Sequence, residues 1–70
     1  METDISDDVK RDILYDMRYG ARVRVYDGSS ASPFLMCKLS NDMFRCYYLK
    51  TNRVVCDYSL EDVVSYFLFV

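Results

Sequence analysis

The chain has 70 residues, of which 51% are hydrophobic, 16% aromatic and 29% charged, with two glycines and one proline. This composition predicts one small folded domain over residues 1–70 and excludes a two-domain enzyme, a collagen-like repeat and a disordered linker. Histidine is absent, which excludes imidazole catalysis and imidazole metal ligands. With no catalytic or phosphate-binding motif either, we predict that the protein is not an enzyme and holds no cofactor or metal.

The net charge is −2, but the charges are segregated along the chain. Residues 1–16 hold six acidic and two basic side chains, residues 17–56 hold two acidic and seven basic ones, and residues 57–70 hold three acidic ones. The acidic start and the short apolar runs predict neither a signal peptide nor a membrane span. An odd number of cysteines favours a reducing compartment, the cytoplasm of a cell or of an infected host cell.

A helix is predicted over about residues 6–19. Ser6 is a suitable N-cap, and Asp7 and Asp8 lie where the helix dipole favours negative charge. Gly20 can adopt the left-handed conformation that ends a helix. The apolar residues that recur at helical spacing are Val9, Ile13, Leu14 and Met17.

From residue 21 onward the hydrophobic period changes to two, which is typical of strands. The predicted strands cover about residues 21–26, 34–39, 43–49, 53–58 and 63–69. They form an α+β fold in which the helix is followed by a curved antiparallel meander of four to five strands, a small barrel. An alternative stays open at the end of the chain, where an amphipathic helix from Leu60 gives an α-β-β-β-β-α sandwich instead.

Alternation also predicts which side chains point inward. In the second strand they are Leu35, Cys37 and Leu39. A two-residue turn at Asn41-Asp42 then pairs Cys37 with Cys46, and a three-residue turn with a left-handed Asn52 pairs Cys46 with Cys56. The three cysteines are therefore predicted to lie in one buried row. A line of three thiols does not supply the four tetrahedral ligands of a zinc site, so we interpret them as core residues.

The other face of the predicted sheet combines basic and aromatic side chains. Its members are Arg22, Arg24, Tyr26, Phe34, Met36, Lys38, Arg45, Tyr47, Leu49 and Arg53. Because arginine and tyrosine dominate interface anchors, we predict a non-catalytic interaction module that docks a protein partner on this face. The predicted partner-binding residues are Arg22, Arg24, Tyr26, Tyr47 and Arg53.

Two alternatives to protein docking stay open for this face. The N-terminal helix can cover part of it, with its apolar stripe over Phe34, Met36 and Tyr47. The face can also bind single-stranded nucleic acid, with arginines on the phosphates and rings stacked on the bases.

The order of helix, four short strands, helical turn and closing strand resembles the Sm-like and other Src-homology-3-like small barrels over about residues 6–70. Those families bind RNA or peptides, and the resemblance implies the same ligand classes here. The small size and acidic start are also similar to phage or viral accessory proteins, many of which bind and block a host protein. That similarity implies an accessory or inhibitor role.

The end of the chain predicts self-association. Residues 66–70 contain no charge, proline or glycine that would protect a strand edge from another chain. We therefore predict a homodimer whose edge is formed by Tyr66, Phe67 and Phe69.

Overall fold

The computed structural model describes residues 5–27 and 33–69. Its elements follow in the order α1 (Asp7–Asp16), β1 (Arg22–Val25), β2 (Phe34–Lys38), β3 (Met43–Tyr48), β4 (Val54–Ser59) and α2 (Leu60–Tyr66). The strands form one open antiparallel sheet, β1-β2-β3-β4. The α+β class is confirmed, but the predicted fifth strand over 63–69 is wrong. The chain has the α-β-β-β-β-α order of the alternative prediction.

Helix α1 begins as predicted and ends earlier. The Ser6 side chain accepts a hydrogen bond of 3.3 Å from the Val9 amide, and Asp7 and Asp8 occupy the first turn. The helix stops at its C-cap Met17, whose backbone is extended, rather than at Gly20. Gly20 does have positive φ, at 82°, so it turns the chain from the helix into β1.

Helix α2 replaces the predicted closing strand. Ser59 is its N-cap and accepts a hydrogen bond of 3.2 Å from the Asp62 amide. The buried residues of α2 and its buried C-cap recur at the spacing i, i+3, i+4, i+7, which is the stripe of an amphipathic helix. They are Leu60, Val63, Val64 and Phe67. This stripe outweighs the high β-propensity of the segment.

After α2 the chain returns to the sheet edge. Leu68 and Tyr26 exchange two backbone hydrogen bonds of 2.7 and 3.0 Å, a single antiparallel bridge beside the end of β1. Phe67 and Phe69 are both 4% exposed in the protomer's own core, while Tyr66 is exposed. The two phenylalanines thus pack in the protomer's own core, and the dimer edge and the homodimer stay predictions.

The register between β2 and β3 differs by one residue from the predicted one. Met36 pairs with Cys46 and Cys37 pairs with Arg45, so the predicted inward set of Leu35, Cys37 and Leu39 is wrong. The cause is the turn, in which the Met43 carbonyl accepts from two successive amides, those of Leu39 and Ser40, at 3.0 and 3.1 Å. The turn is therefore one residue longer than the predicted two-residue turn. The resulting shift of the register by one residue moves every β2 side chain to the other face of the sheet. The inward residues of β2 are Phe34, Met36 and Lys38.

The turn between β3 and β4 follows the prediction at its centre. Asn52 has φ 57°, the left-handed conformation, and Cys46 pairs with Cys56. A bulge then shifts the register between Cys46 and Tyr47, so that Tyr47 pairs with Val54. Cys37 lies on the opposite face, so the predicted row of three cysteines is reduced to one pair of free thiols.

Both helices pack on one face of the sheet. The core between them contains four inward strand residues and six residues from the helices and the C-terminal segment. Its members are Val25, Met36, Phe44, Cys46, Leu14, Leu60, Val63, Val64, Phe67 and Phe69. The predicted alternative in which α1 covers part of the basic face holds at Met36, which packs in the same core as Leu14. It is wrong at Tyr47, which lies on the opposite face of the sheet beside Arg22.

Candidate protein-docking face

The face of the sheet opposite the helices is uncovered in the part of the chain that the structure describes. Strand pairing arranges its side chains in two rows. The first row is Arg22, Cys37, Arg45 and Asp57, and the second row is Arg24, Leu35, Tyr47 and Val54. We call these residues the open face.

One end of the first row is an ion pair. Arg45 Nε lies 2.8 Å from Asp57 Oδ1, and Arg45 Nη2 lies 3.3 Å from Asp57 Oδ2. This hydrogen bonding from Arg45 lowers the pKa of Asp57 below its ordinary value. The two-point contact fixes the Arg45 guanidinium along the sheet.

Arg22 reaches across the sheet to Tyr47. Its guanidinium carbon lies 5.6 Å from the centroid of the Tyr47 ring, although β2 separates their strands. A guanidinium at this distance from an aromatic ring makes a favourable cation–π contact. The contact holds both side chains against the sheet.

The middle of the open face is apolar beneath the arginines. Cys37 lies between Arg22 and Arg45 in the first row and is only 9% exposed. Leu35 lies between Arg24 and Tyr47 in the second row. The open face therefore presents guanidinium groups above a layer of small and aliphatic side chains.

The charge balance of the open face is positive. It contains three arginines and one aspartate, and that aspartate is bound to Arg45. Arg22 and Arg24 are exposed, and neither has an ion-pair partner among the described residues. Two cationic groups are thus available to an acidic partner.

The predicted partner-binding residues do not all lie together. Arg22, Arg24 and Tyr47 share the open face. Tyr26 follows β1, is half-buried and bridges to Leu68. Arg53 precedes β4 and lines a cavity together with Phe34, away from the two rows of the open face.

Three residues predicted to point outward belong to the interior. The Phe34 ring packs on the Phe67 ring, with 6.1 Å between the two centroids. Met36 is fully buried, and Lys38 is buried against α1. Their places on the open face are taken by Leu35 and Cys37, which sequence reasoning put in the core. The signal that could have identified Asp57 as a member was its predicted register opposite Arg45, since opposite charges favour facing positions.

Metal ligands, membrane-spanning helices and reactive thiols are the remaining functional features of the described residues. Within residues 5–27 and 33–69, no cluster of three or more cysteine and acidic side chains could hold a metal ion. No helix in these ranges is long and apolar enough to cross a membrane. Burial raises the pKa of the Cys46 thiol to about 11, which disfavours the nucleophilic thiolate. Comparison of the chain with family profiles, curated proteins and solved structures finds no match.

Proposed function

We propose that the protein is a non-catalytic interaction module that docks an acidic protein partner on the open face. The observation that carries the proposal is the contact between Arg22 and Tyr47, which holds a cation and a ring in place on an uncovered sheet. Binding loses less side-chain entropy when the anchors are ordered in advance. Arg24 adds a second exposed cation in the neighbouring row.

The partner's chemistry follows from the charges. Two arginines without an ion-pair partner among the described residues favour carboxylates, which guanidinium groups bind in a planar, two-point geometry. Leu35 and Cys37 supply the apolar layer between the charged groups. This combination suits a partner surface that has acidic residues around an apolar centre.

Single-stranded nucleic acid is the second candidate, supported by the arginines of an open four-stranded sheet. Sheets that bind single strands stack two or three bases on aromatic residues. Tyr47 is the one aromatic residue on the open face as the structure describes it. The net charge of −2 also opposes binding that depends on neutralising phosphates. Both observations favour a protein partner.

Two variants with the same change of charge test the proposal. Partners are captured from a lysate with the wild-type chain, and the affinity of each is then measured for Arg24→Glu and Arg18→Glu. Both arginines are exposed, but Arg18 lies outside the sheet. We expect Arg24→Glu to weaken binding at least about tenfold and Arg18→Glu to leave it unchanged. Equal weakening by both variants would contradict docking on the open face.

A salt titration with a fluorescein-labelled oligothymidine separates the two candidates. The protein-docking proposal expects no binding at about 50 mM salt. Binding that weakens steeply between about 50 and 200 mM salt, and that Arg24→Glu removes, would replace it with the nucleic-acid function.

A further inference from the structure

A cavity of about 460 Å³ lies at the end of the sheet, where β2 begins and β3 ends. Its floor is apolar and its rim carries two cations. The floor residues are Pro33, Phe34, Tyr48 and Leu49, and the cations are Lys50 and Arg53. The volume falls within the range of roughly 300–1,000 Å³ that is typical of ligand sites. We call this space the end cavity.

The floor of the end cavity is fixed from below. The centroid of the Phe34 ring lies 5.5 Å from that of the Tyr48 ring and 6.1 Å from that of the Phe67 ring. Because Phe67 belongs to the core, the core holds the Phe34 ring in place. Tyr48 is nevertheless 48% exposed, which leaves its ring available to a ligand. A large aromatic surface that is both ordered and exposed is a favourable contact for another apolar side chain.

The rim of the end cavity is fixed by the turn that follows β3. Asn52 donates its amide to the Tyr48 carbonyl at 2.8 Å, and Tyr48 donates its amide to the Arg53 carbonyl at 2.9 Å. The Thr51 hydroxyl accepts from the Arg53 amide at 3.3 Å. These bonds set the backbone positions from which Lys50 and Arg53 extend.

The charges of the rim indicate the ligand. Neither Lys50 nor Arg53 forms an ion pair with any described residue, and the described lining contains no acidic side chain. Two free cations beside an apolar floor complement a ligand that joins an apolar group to negative charge. A nucleobase fits less well, because its N–H groups require acceptors and the described lining, which is rich in donors, has no amide or carboxylate side chain.

We propose that the end cavity binds an aromatic side chain of an acidic peptide segment. The aromatic ring packs on Phe34 and Tyr48, and carboxylates on neighbouring residues of the peptide pair with Lys50 and Arg53. Its two aromatic residues, Phe34 and Tyr48, pair on the helix side of the sheet, whereas Arg24 and Tyr47 lie on the open face. This site therefore goes beyond docking on the open face, and either proposal can fail while the other holds.

Nuclear magnetic resonance titrations of the whole isotopically labelled chain test the end cavity. The probe is an acetylated and amidated tripeptide with phenylalanine between two aspartates. Two matched peptides replace the phenylalanine by alanine or the aspartates by lysines. We expect the first peptide alone to shift the amides of residues 48–53, with a dissociation constant of about 1 mM, as befits one side chain and two ion pairs.

Variants locate the binding site of the peptide. We expect Arg53→Glu to weaken binding of the acidic phenylalanine peptide about tenfold or more and Arg18→Glu, at an exposed position outside the sheet and the end cavity, to leave it unchanged. If Arg53→Glu alters the circular dichroism spectrum, Lys50→Glu serves in its place. Equal binding of the three peptides, shifts confined to the open face, or tighter binding of trithymidylate at residues 48–53 would each overturn the proposal.

Discussion

Lys38 in β2 donates a hydrogen bond of 2.8 Å from its Nζ to the carbonyl oxygen of Leu14 in α1. The same Nζ donates to the carbonyls of Tyr15 and Met17, each at 2.9 Å. Since α1 has no basic residue in its last turn, this lysine satisfies the carbonyls that the helix leaves free. One side chain from the sheet therefore caps the C-terminus of the helix above it.

The second helix uses the same arrangement. Lys10 in α1 is buried and donates to the carbonyls of Val64 and Phe67 at 3.3 and 2.9 Å. α2 also lacks a basic residue in its last turn. The two buried lysines thus connect the sheet to α1 and α1 to α2.

The first prediction concerns Lys38. Replacing it by methionine preserves the apolar stem but removes three hydrogen bonds, one to a buried carbonyl and two to part-buried ones. We expect Lys38→Met to lower the free energy of unfolding by about 2–4 kcal/mol, since hydrogen bonds to charged groups are worth about 1.5–3 kcal/mol each and do not add fully. Urea unfolding followed by circular dichroism measures the change. Lys50→Met, at an exposed position, is the control and should change the stability by less than about 0.5 kcal/mol; a similar small effect of Lys38→Met would refute the capping role.

The place of Lys38 explains much of what the sequence could not predict. In residues 34–39, either alternating set of side chains could face the core. The set that contains Lys38 was predicted to face water because lysine is charged. The charge is instead buried, because helix carbonyls replace its hydration. A long-range contact of this kind leaves no local signal beyond the missing basic residue at the end of α1.

Other elements were predictable because their signals are local. The Ser6 cap, the left-handed Asn52 and the pairing of Cys46 with Cys56 depend on residues close in sequence. α2 could also have been predicted from the helical spacing of Leu60, Val63, Val64 and Phe67, but the aromatic and β-branched composition favoured a strand. For the open face, Arg22, Arg24 and Tyr47 followed from alternation, whereas Leu35 and Cys37 required the turn geometry.

The second prediction concerns Phe67. The centroid of its ring lies 6.1 Å from that of Phe34 and 5.2 Å from that of Tyr58, within the protomer's core. We expect Phe67→Ala to destabilise the fold by about 3–5 kcal/mol, the range for deleting a buried aromatic side chain, whatever the oligomeric state. Urea unfolding at several protein concentrations measures it.

The neighbouring Tyr66 is exposed and provides the control for Phe67. Tyr66→Ala should change the stability by less than about 0.5 kcal/mol. Light scattering reports whether the wild-type chain is a monomer of 8.3 kDa or the predicted homodimer. If Phe67→Ala dissociates a dimer but leaves the free energy of unfolding unchanged, Phe67 stabilises a dimer interface and not the core of the protomer.

The third prediction concerns the order in which the thiols react. Cys56 is exposed, whereas Cys46 is 1% exposed and its pKa is raised to about 11 by burial. At pH 8 only about 1 in 1,000 of the Cys46 thiols is ionised, so we expect Cys56 to react with iodoacetamide at least about tenfold faster than Cys46 or the buried Cys37. Peptide mass spectrometry over time identifies the modified residue. In the Cys56→Ser variant the fast phase of the iodoacetamide reaction should disappear. If it remains, Cys46 or Cys37 reacts rapidly, which would mean that β3 or β2 opens readily.

The last prediction concerns acid. Hydrogen bonding from Arg45 lowers the pKa of Asp57 in the folded chain, whereas in the unfolded chain this pKa is about 4. A carboxyl group with a lowered folded pKa stabilises the fold above the unfolded value and loses that contribution as the pH falls through the folded value. The urea midpoint should therefore decrease below about pH 4, and Asp57→Asn should flatten this decrease by removing one titrating group.

Glu61, whose pKa is lowered by its hydrogen bond to Arg11, is a matched carboxylate between the two helices, and Glu61→Gln should flatten the profile in the same direction. Profiles of the two variants that run parallel to the wild-type profile from pH 6 to pH 2 would show that neither ion pair is linked to folding.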